Sequence, residues 1–310
     1  MAFPEKCPLC GEESEKHKVV TRHVYGDKDH SRAFYHCPEC DVRYLHPTLT
    51  PEEEAQFYAS EFGGFMAART GVSGGWEGAE SHVRANESAR IRRSKYLSSH
   101  ILKGASILEV GCSSGFMLFP LIDEGHACTG IEPSGMFCEY LRNRRLVVYP
   151  SLEDFKENEP DRKFDIILHF FVLEHITTPL AFLESQIDLL NDGGKIIFEI
   201  PNVADPLYSI YDIPEFERFY WSIAHPWYFS EASLKYLLDR LCMPYEILLD
   251  QRYDLSNHMT WARDGKPGGM GRYTEMLGSS IEEMYKQALI KNRRCDTLIA
   301  VISKGKESNR

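Results

Sequence analysis

Two short cysteine knuckles, Cys7-Pro8-Leu9-Cys10 and Cys37-Pro38-Glu39-Cys40, stand within the first forty residues. Each spacing needs one tight turn to aim two thiolates at a common point, and two such turns supply the tetrahedral sulfur set that zinc prefers. The pattern predicts a structural Zn2+ held by Cys7, Cys10, Cys37 and Cys40 in a small ribbon over residues 1–48. A disulfide framework is the rival reading. It is disfavoured because Cys112, Cys128, Cys138, Cys242 and Cys295 are scattered singly and no leader pattern opens the chain, which predicts a reducing, cytoplasmic setting. Between the knuckles, KVVTRHVYG and SRAFYHC read as short strands with polar turns, as a ribbon requires.

The 310 residues suit one large domain plus this appendage. No apolar run reaches the roughly 18 residues that cross a bilayer, so no membrane partner is expected. The net charge of −11 weighs against nucleic acid as a partner, since phosphate backbones are held by an excess of lysine and arginine. Arg90, Arg92, Arg93 and Lys95 make one basic stretch, which reads as the solvated face of a helix.

Beyond the ribbon, residues 49–84 hold a short helix opened by Pro51-Glu52-Glu53 and a glycine-rich stretch at 63–78, which reads equally as a lid or a linker. A helix is expected from Val83 to Leu102. Residues 85–305 then alternate. Apolar strand candidates run Ser106–Val110, Ala127–Ile131, Leu146–Tyr149, Phe164–Phe170, Lys195–Ile200, Tyr245–Leu249 and Thr297–Ser303, with helical patterns between most of them. One helix is expected to be capped by Thr178, to bury Leu180, Leu183, Ile187 and Leu190, and to end at Gly193-Gly194. Another is capped by Ser230 and buries Leu234, Leu237, Leu238 and Leu241. The alternation predicts an α/β fold, a doubly wound, mostly parallel seven-stranded sheet covered on both faces. Ligands of such sheets bind beyond the strand carboxyl ends, where the strand order reverses.

The first strand of this alternation closes in Glu109-Val110-Gly111-Cys112-Ser113-Ser114-Gly115. Glycines there let backbone approach a ligand closely, and the following helix offers its amide end. Glu132 ends the next strand in GIEPS, where a carboxylate can take both hydroxyls of a ribose. A nicotinamide enzyme shares these two elements, but the turn reads GxSxG, not GxGxxG, and so lacks the glycines that accommodate a pyrophosphate. A cofactor with a ribose and no pyrophosphate fits better.

In order, ILEVGCSSG, GIEPS, FDIILHFFVLEHI, GGKIIFEIPN and HPWYFS resemble the motifs of class I S-adenosylmethionine-dependent methyltransferases, over about residues 85–304. The resemblance implies a Rossmann-like methyltransferase domain in which Gly111 and Gly115 flank the methionine part of the cofactor and Glu132 binds its ribose. It also implies that Leu152 and Glu153 lie beside the adenine and that His169 and Phe170 lie near the sulfonium. Cys112 and Ser113 depart from the usual glycine or small residues but are small enough, and Cys112 has no paired base that would make it a nucleophile. Glu109 is read as a cofactor-site residue ahead of a mere turn cap. Glu174-His175 reads as a structural helix start rather than as catalytic. Pro120 is expected to kink the helix after the glycine turn.

Methyl transfer to a hydroxyl needs alignment, exclusion of water and removal of one proton. His225, in AHPWYFS after the fifth strand, is the candidate base, with a histidine orienting the Ser230-capped helix as the equal alternative. The ribbon-plus-domain order resembles sugar methyltransferases of polysaccharide and antibiotic pathways, which implies O-methylation of a small acceptor such as a nucleotide-linked sugar. The related keto-sugar C-methyltransferases often carry Glu-His where this chain has Ala224-His225, and a further domain, which moves the reading towards O-methylation. Ribosomal-RNA methyltransferases and a non-catalytic cofactor-binding scaffold remain as alternatives. The polar, glycine-rich segment 251–276 is expected outside the core, offering Asn257, His258, Trp261, Arg263 and Lys266 to an acceptor or forming a plain surface insertion.

Overall fold

A computed structural model describes residues 3–50, 52–53, 57, 64–65, 68–69 and 78–305. The Pro51 helix start and most of the glycine-rich stretch at 63–78 lie outside the described residues.

Seven strands form the main sheet: β4 (Ser106–Val110), β5 (Ala127–Ile131), β6 (Val147–Tyr149), β7 (Phe164–Phe170), β8 (Leu190–Pro201), β10 (Tyr245–Asp250) and β11 (Thr297–Ser303). Their order is β10-β11-β8-β7-β4-β5-β6, parallel from β8 to β6, with β11 and β10 antiparallel. All seven expected strands are present because strands covered on both faces read as unbroken apolar runs. Ile107, Leu168, Ile197 and Ile299 face one buried layer with Leu118, Leu121 and Leu141. Leu108, Ile167, Phe198 and Ala300 face the other, under Leu183, Leu234, Leu237 and Leu238. Strand β5 lies on one side of β4 and β7 on the other, so the strand order reverses at the carboxyl ends of β4 and β7.

A second sheet has the order β1-β2-β3-β9, built from β1 (Lys18–Thr21), β2 (Ala33–His36), β3 (Arg43–His46) and β9 (Trp227–Tyr228). Its last strand comes from the main domain, with Arg43 opposite Tyr228 and Tyr44 opposite Trp227. The Leu45 amide donates to the Pro226 carbonyl at 2.9 Å. A shared aromatic core seals the junction, since Phe34 and Leu45 of the ribbon pack with Trp221, Tyr228 and Phe216. The ribbon is therefore fused to the main domain by backbone pairing as well as by packing.

Several local expectations are corrected. The helix expected from Val83 to Leu102 is two helices, Ala79–Ala85 and Glu87–Leu97, which meet at Asn86. Pro120 lies in the first turn of the short Leu118–Asp123 helix, where a missing amide removes no intrahelical bond, so it makes no kink there. The Pro179–Ile187 helix starts on its proline without a side-chain bond from Thr178. Leu190 belongs to β8, and Gly193-Gly194 lies inside that strand rather than at the helix end. There the register against β7 slips between Phe164 and Ile166, and a Cβ on Gly194 would sit 2.9 Å from the Asn191 carbonyl oxygen. Ser230 caps the Glu231–Asp239 helix as expected, in a reciprocal box with Ser233.

The basic stretch is not a solvated face. Arg92 and Arg93 turn inward onto Glu199 of β8, which is 0% exposed. Both arginines donate to its Oε2 at 2.9 Å, and the Tyr96 hydroxyl donates to Oε1 at 2.7 Å. Burial alone would raise this carboxyl, but Arg93 and Arg92 hold it at about 2. Removing one member of a fully buried charge network strands the rest. Glu199→Ala is therefore expected to lower stability by about 3–5 kcal/mol in urea denaturation. A loss below about 1 kcal/mol would show that the two arginines find water instead.

Candidate functional site

The reversal point gathers the turn after β4, the end of β5 and the turn after β7. At the first, Gly111 and Gly115 take φ of +74° and +71°, which glycine tolerates best. A Cβ on Gly111 would stand 2.8 Å from Cγ2 of Val172, in the turn after β7. Ser113 also has positive φ, at +46°, which points its amide at Glu132. Cys112 is fully buried with its sulfur against Gly130, and burial raises its thiol well above the ordinary value, so it is packing and not a nucleophile.

Glu132 is 6% exposed. Its Oε2 accepts from the Ser113 amide and its Oε1 from the Ser134 amide, both at 2.7 Å. Each oxygen keeps a second lone pair for a ligand hydroxyl. Burial raises this carboxyl to about 7 against the two amide bonds, and burial raises neighbouring Glu109 to about 8 despite Arg93. Glu109 Oε2 is buried without a partner among the described residues. Buried acids beside a backbone cradle fit a ligand that brings hydroxyl and amine donors, as the ribose and methionine parts of S-adenosylmethionine would.

The remaining expected residues divide. Leu152 is buried at the start of the Leu152–Asn158 helix, and Glu153 is exposed. His169 is 0% exposed, stacked on Phe198 at 4.6 Å and edge-on to Phe182. Phe170 carries the Arg93 guanidinium at 4.0 Å. In segment 251–276 the surface expectation fails in part. Asn257, His258 and Trp261 are buried in the Leu255–Asp264 helix, Trp261 against Phe216 and Phe219, while Arg263 is exposed and pairs with Asp264.

Sequence reasoning set aside Glu174 and His175 and missed His82. His82 Nδ1 lies 2.9 Å from the Ser114 hydroxyl, with its ring between Phe116 and Phe137 over the glycine turn. Glu174 is 1% exposed, and both its carboxylate oxygens are buried without a hydrogen-bond partner among the described residues. Burial raises it to about 8, with Arg252 pulling the other way. The rings of His175 and His225 meet at 4.6 Å, nearly perpendicular. One donor atom each of Glu174, His175 and His225 lies within 4.8 Å of the others. Burial, with His175, Arg69 and Arg252 adding to it, holds His225 well below its ordinary value.

The four ribbon thiols also converge. Cys7 and Cys40 sulfurs are 3.7 Å apart and those of Cys10 and Cys37 3.6 Å. This exceeds the roughly 2.05 Å of a disulfide and matches the roughly 3.8 Å edge of a tetrahedron with 2.3 Å zinc–sulfur bonds. The donor set thus fits zinc.

The fold and the cradle are those of Rossmann-like S-adenosylmethionine-dependent methyltransferases. Residues 82–241 match a family described as a methyltransferase domain, and the chain belongs to that family. Over 112 residues the chain is 31% identical to a tRNA U34 carboxymethyltransferase of Alteromonas mediterranea, spanning 32% of this chain and 33% of that protein. Over 116 residues it is 30% identical to a ubiquinone biosynthesis O-methyltransferase of Coxiella burnetii, spanning 36% and 50%. The chain thus spans a third to a half of these relatives' lengths. A solved S-adenosylmethionine-dependent methyltransferase from Archaeoglobus fulgidus aligns over 71% of this chain and 94% of its own, with TM-score 0.48 and 17% identity. Among the described residues no helix is long and apolar enough to cross a membrane.

A carboxylate near pKa 7 gives cofactor binding a pH dependence with a definite sign. If the ribose hydroxyls donate to ionised Glu132, affinity falls as pH drops through about 7. S-Adenosylhomocysteine should bind about tenfold more weakly at pH 6 than at pH 8, and Glu132→Gln should flatten that slope. A calorimetric titration with equal affinities at both pH values in the wild type would place the ribose elsewhere.

Proposed function

We propose that this chain transfers a methyl group from S-adenosylmethionine to a hydroxyl of a small acceptor, with a nucleotide-linked or polysaccharide-precursor sugar as the leading class. The observation that carries this reading is the Glu174–His175–His225 cluster, whose turn follows Val172, the residue packed against Gly111. When bound, the cofactor supplies an electrophilic methyl and a thioether leaving group. Glu132 and the Gly111–Gly115 turn hold it, and Glu109 and His82 close the cradle from the side of the Ala79–Ala85 helix. The cluster faces the acceptor oxygen.

An O-methyltransferase among the relatives agrees with hydroxyl chemistry, though only half its length is matched. The relative that acts on tRNA U34 makes RNA the second arm of the test. Radiolabelled methyl transfer should be measured on nucleotide-sugars, small hydroxylated metabolites and RNA. Label on an oxygen of a small acceptor supports the proposal, and label on RNA alone, or on carbon or nitrogen, overturns it.

His225 is the proposed acceptor-side group, although the reason given by sequence alone has changed. An ordinary histidine near pKa 6.5 would be a good base, whereas this buried ring is a weak one. His225→Ala is expected to cost about a hundredfold or more in single-turnover rate while leaving S-adenosylhomocysteine affinity unchanged. A variant keeping more than about a tenth of the rate would return His225 to a structural role.

The four thiolates are proposed to hold one Zn2+. Cys37→Ser should release it and unravel the ribbon, because the site's binding energy is largely folding energy. Since β3 pairs with β9, the loss should reach the segment bearing His225 and reduce turnover more than cofactor affinity. Metal analysis of the wild type finding no zinc, or a zinc-free variant with full turnover, would overturn this coupling.

A further inference from the structure

We infer that Glu174, His175 and His225 form a second metal site, distinct from the cysteine cluster, which binds a divalent cation such as Mn2+, Fe2+ or Zn2+ and presents its open positions to the acceptor oxygen.

The Glu174 carboxyl, with 1% exposure and no partner for either oxygen, is costly to keep. Arg252 eases this burial electrostatically but bonds neither oxygen among the described residues, and its guanidinium lies over Phe171 at 4.3 Å and Tyr253 at 4.4 Å. The group is thus left aimed at whatever the two histidines also address.

His175 carries the mark of a preset ligand. Its Nδ1 lies 2.6 Å from the Ala224 carbonyl oxygen, which can only accept, so Nδ1 carries the proton and Nε2 carries the lone pair. A ring nitrogen that donates to a backbone carbonyl while the other faces a metal is the usual arrangement of ligating histidines. Ala224 immediately precedes His225, so this bond also sets the two imidazoles against each other. The His225 Nδ1 is buried and has no partner among the described residues. Both histidines are half-buried, whereas Glu174 is fully buried.

Two imidazoles and one carboxylate leave positions vacant, which is the pattern of catalytic rather than structural metal sites. Thiolates are absent from this set, so the four ribbon thiolates take the first zinc and the two-histidine, one-carboxylate set is left to a second cation. The two guanidiniums that reach His225, Arg69 and Arg252, favour an acceptor whose oxygen becomes anionic over one that stays neutral.

The site answers the difficulty left by a weak imidazole base. An acceptor hydroxyl bound to the cation is acidified and loses its proton to water. The oxygen lone pair then forms the O–CH3 bond as the sulfonium C–S bond breaks, leaving a neutral thioether. His225 acts as a ligand in this step, with no proton to take.

The role in transfer rests on the O-methylation proposed above, but the site itself does not, so it is tested first by binding. Wild-type protein adjusted to one zinc per chain, enough for the ribbon only, should be titrated with Mn2+ alone and followed by electron paramagnetic resonance. One bound Mn2+ per chain is expected. Glu174→Gln and His225→Gln should each weaken it by about tenfold or more, with S-adenosylhomocysteine affinity retained as the check on folding. No bound Mn2+ at about 1 mM in the wild type, or undiminished binding in both variants, overturns the site. If Mn2+ binds as expected but the methyl group proves to be on nitrogen or carbon, the acceptor reading fails and the metal site stands.

Discussion

The pairing of β3 with β9 is the interaction on which the position of the His225 segment depends. Trp227 and Tyr228 are only two residues long as a strand, too short to hold a position without a partner. The ribbon supplies that partner through Arg43 and Tyr44. The Trp227 indole then donates to the Ile176 carbonyl at 2.9 Å, next to His175. His225 and His175 are thus set by one backbone frame whose far side is the cysteine cluster. Structural zinc sites in small peptides contribute about 10–16 kcal/mol of apparent binding energy, ample to fix a ribbon of this size.

Buried acids in this chain follow two opposite solutions, and the contrast separates scaffold from site. Glu199 is met by two arginines and a tyrosine, so its charge is fully answered from within. Glu109, Glu132 and Glu174 are also buried, but among the described residues no cation pairs with them directly, and burial lifts all three towards neutrality. A closed ion network orders the Glu87–Leu97 helix against β8. Acids left incompletely answered at a strand-order reversal are what a ligand is needed to complete.

The sheet was legible because each strand is an apolar run bounded by turn residues, and its order of appearance carried the methyltransferase resemblance. The cysteine spacing was legible because each knuckle is local. What failed were inferences about facing direction. Arg92 and Arg93 look solvated in sequence, since nothing local shows Glu199 more than a hundred residues away. Trp261 hides in a polar segment because its partners, Phe216 and Phe219, lie on a separate helix. Gly193-Gly194 looks like a helix stop, yet it serves a strand slip that only the β7 pairing reveals. Glu174-His175 was the most ambiguous, because its meaning comes from His225, brought close by the fold and not by spacing.

The cofactor turn and the acceptor cluster are joined by one steric contact. Gly111 leaves room for Val172 to approach until a hypothetical Cβ would be 2.8 Å from its Cγ2. Val172 immediately precedes the Leu173–His175 turn that presents Glu174 and His175. A side chain at position 111 would strain a backbone at φ +74° and also push this turn away from the cradle. The glycine thus does more than admit the cofactor's backbone contacts. It sets the distance between the methyl donor's seat and the groups that meet the acceptor, and a direct displacement is acutely sensitive to that distance.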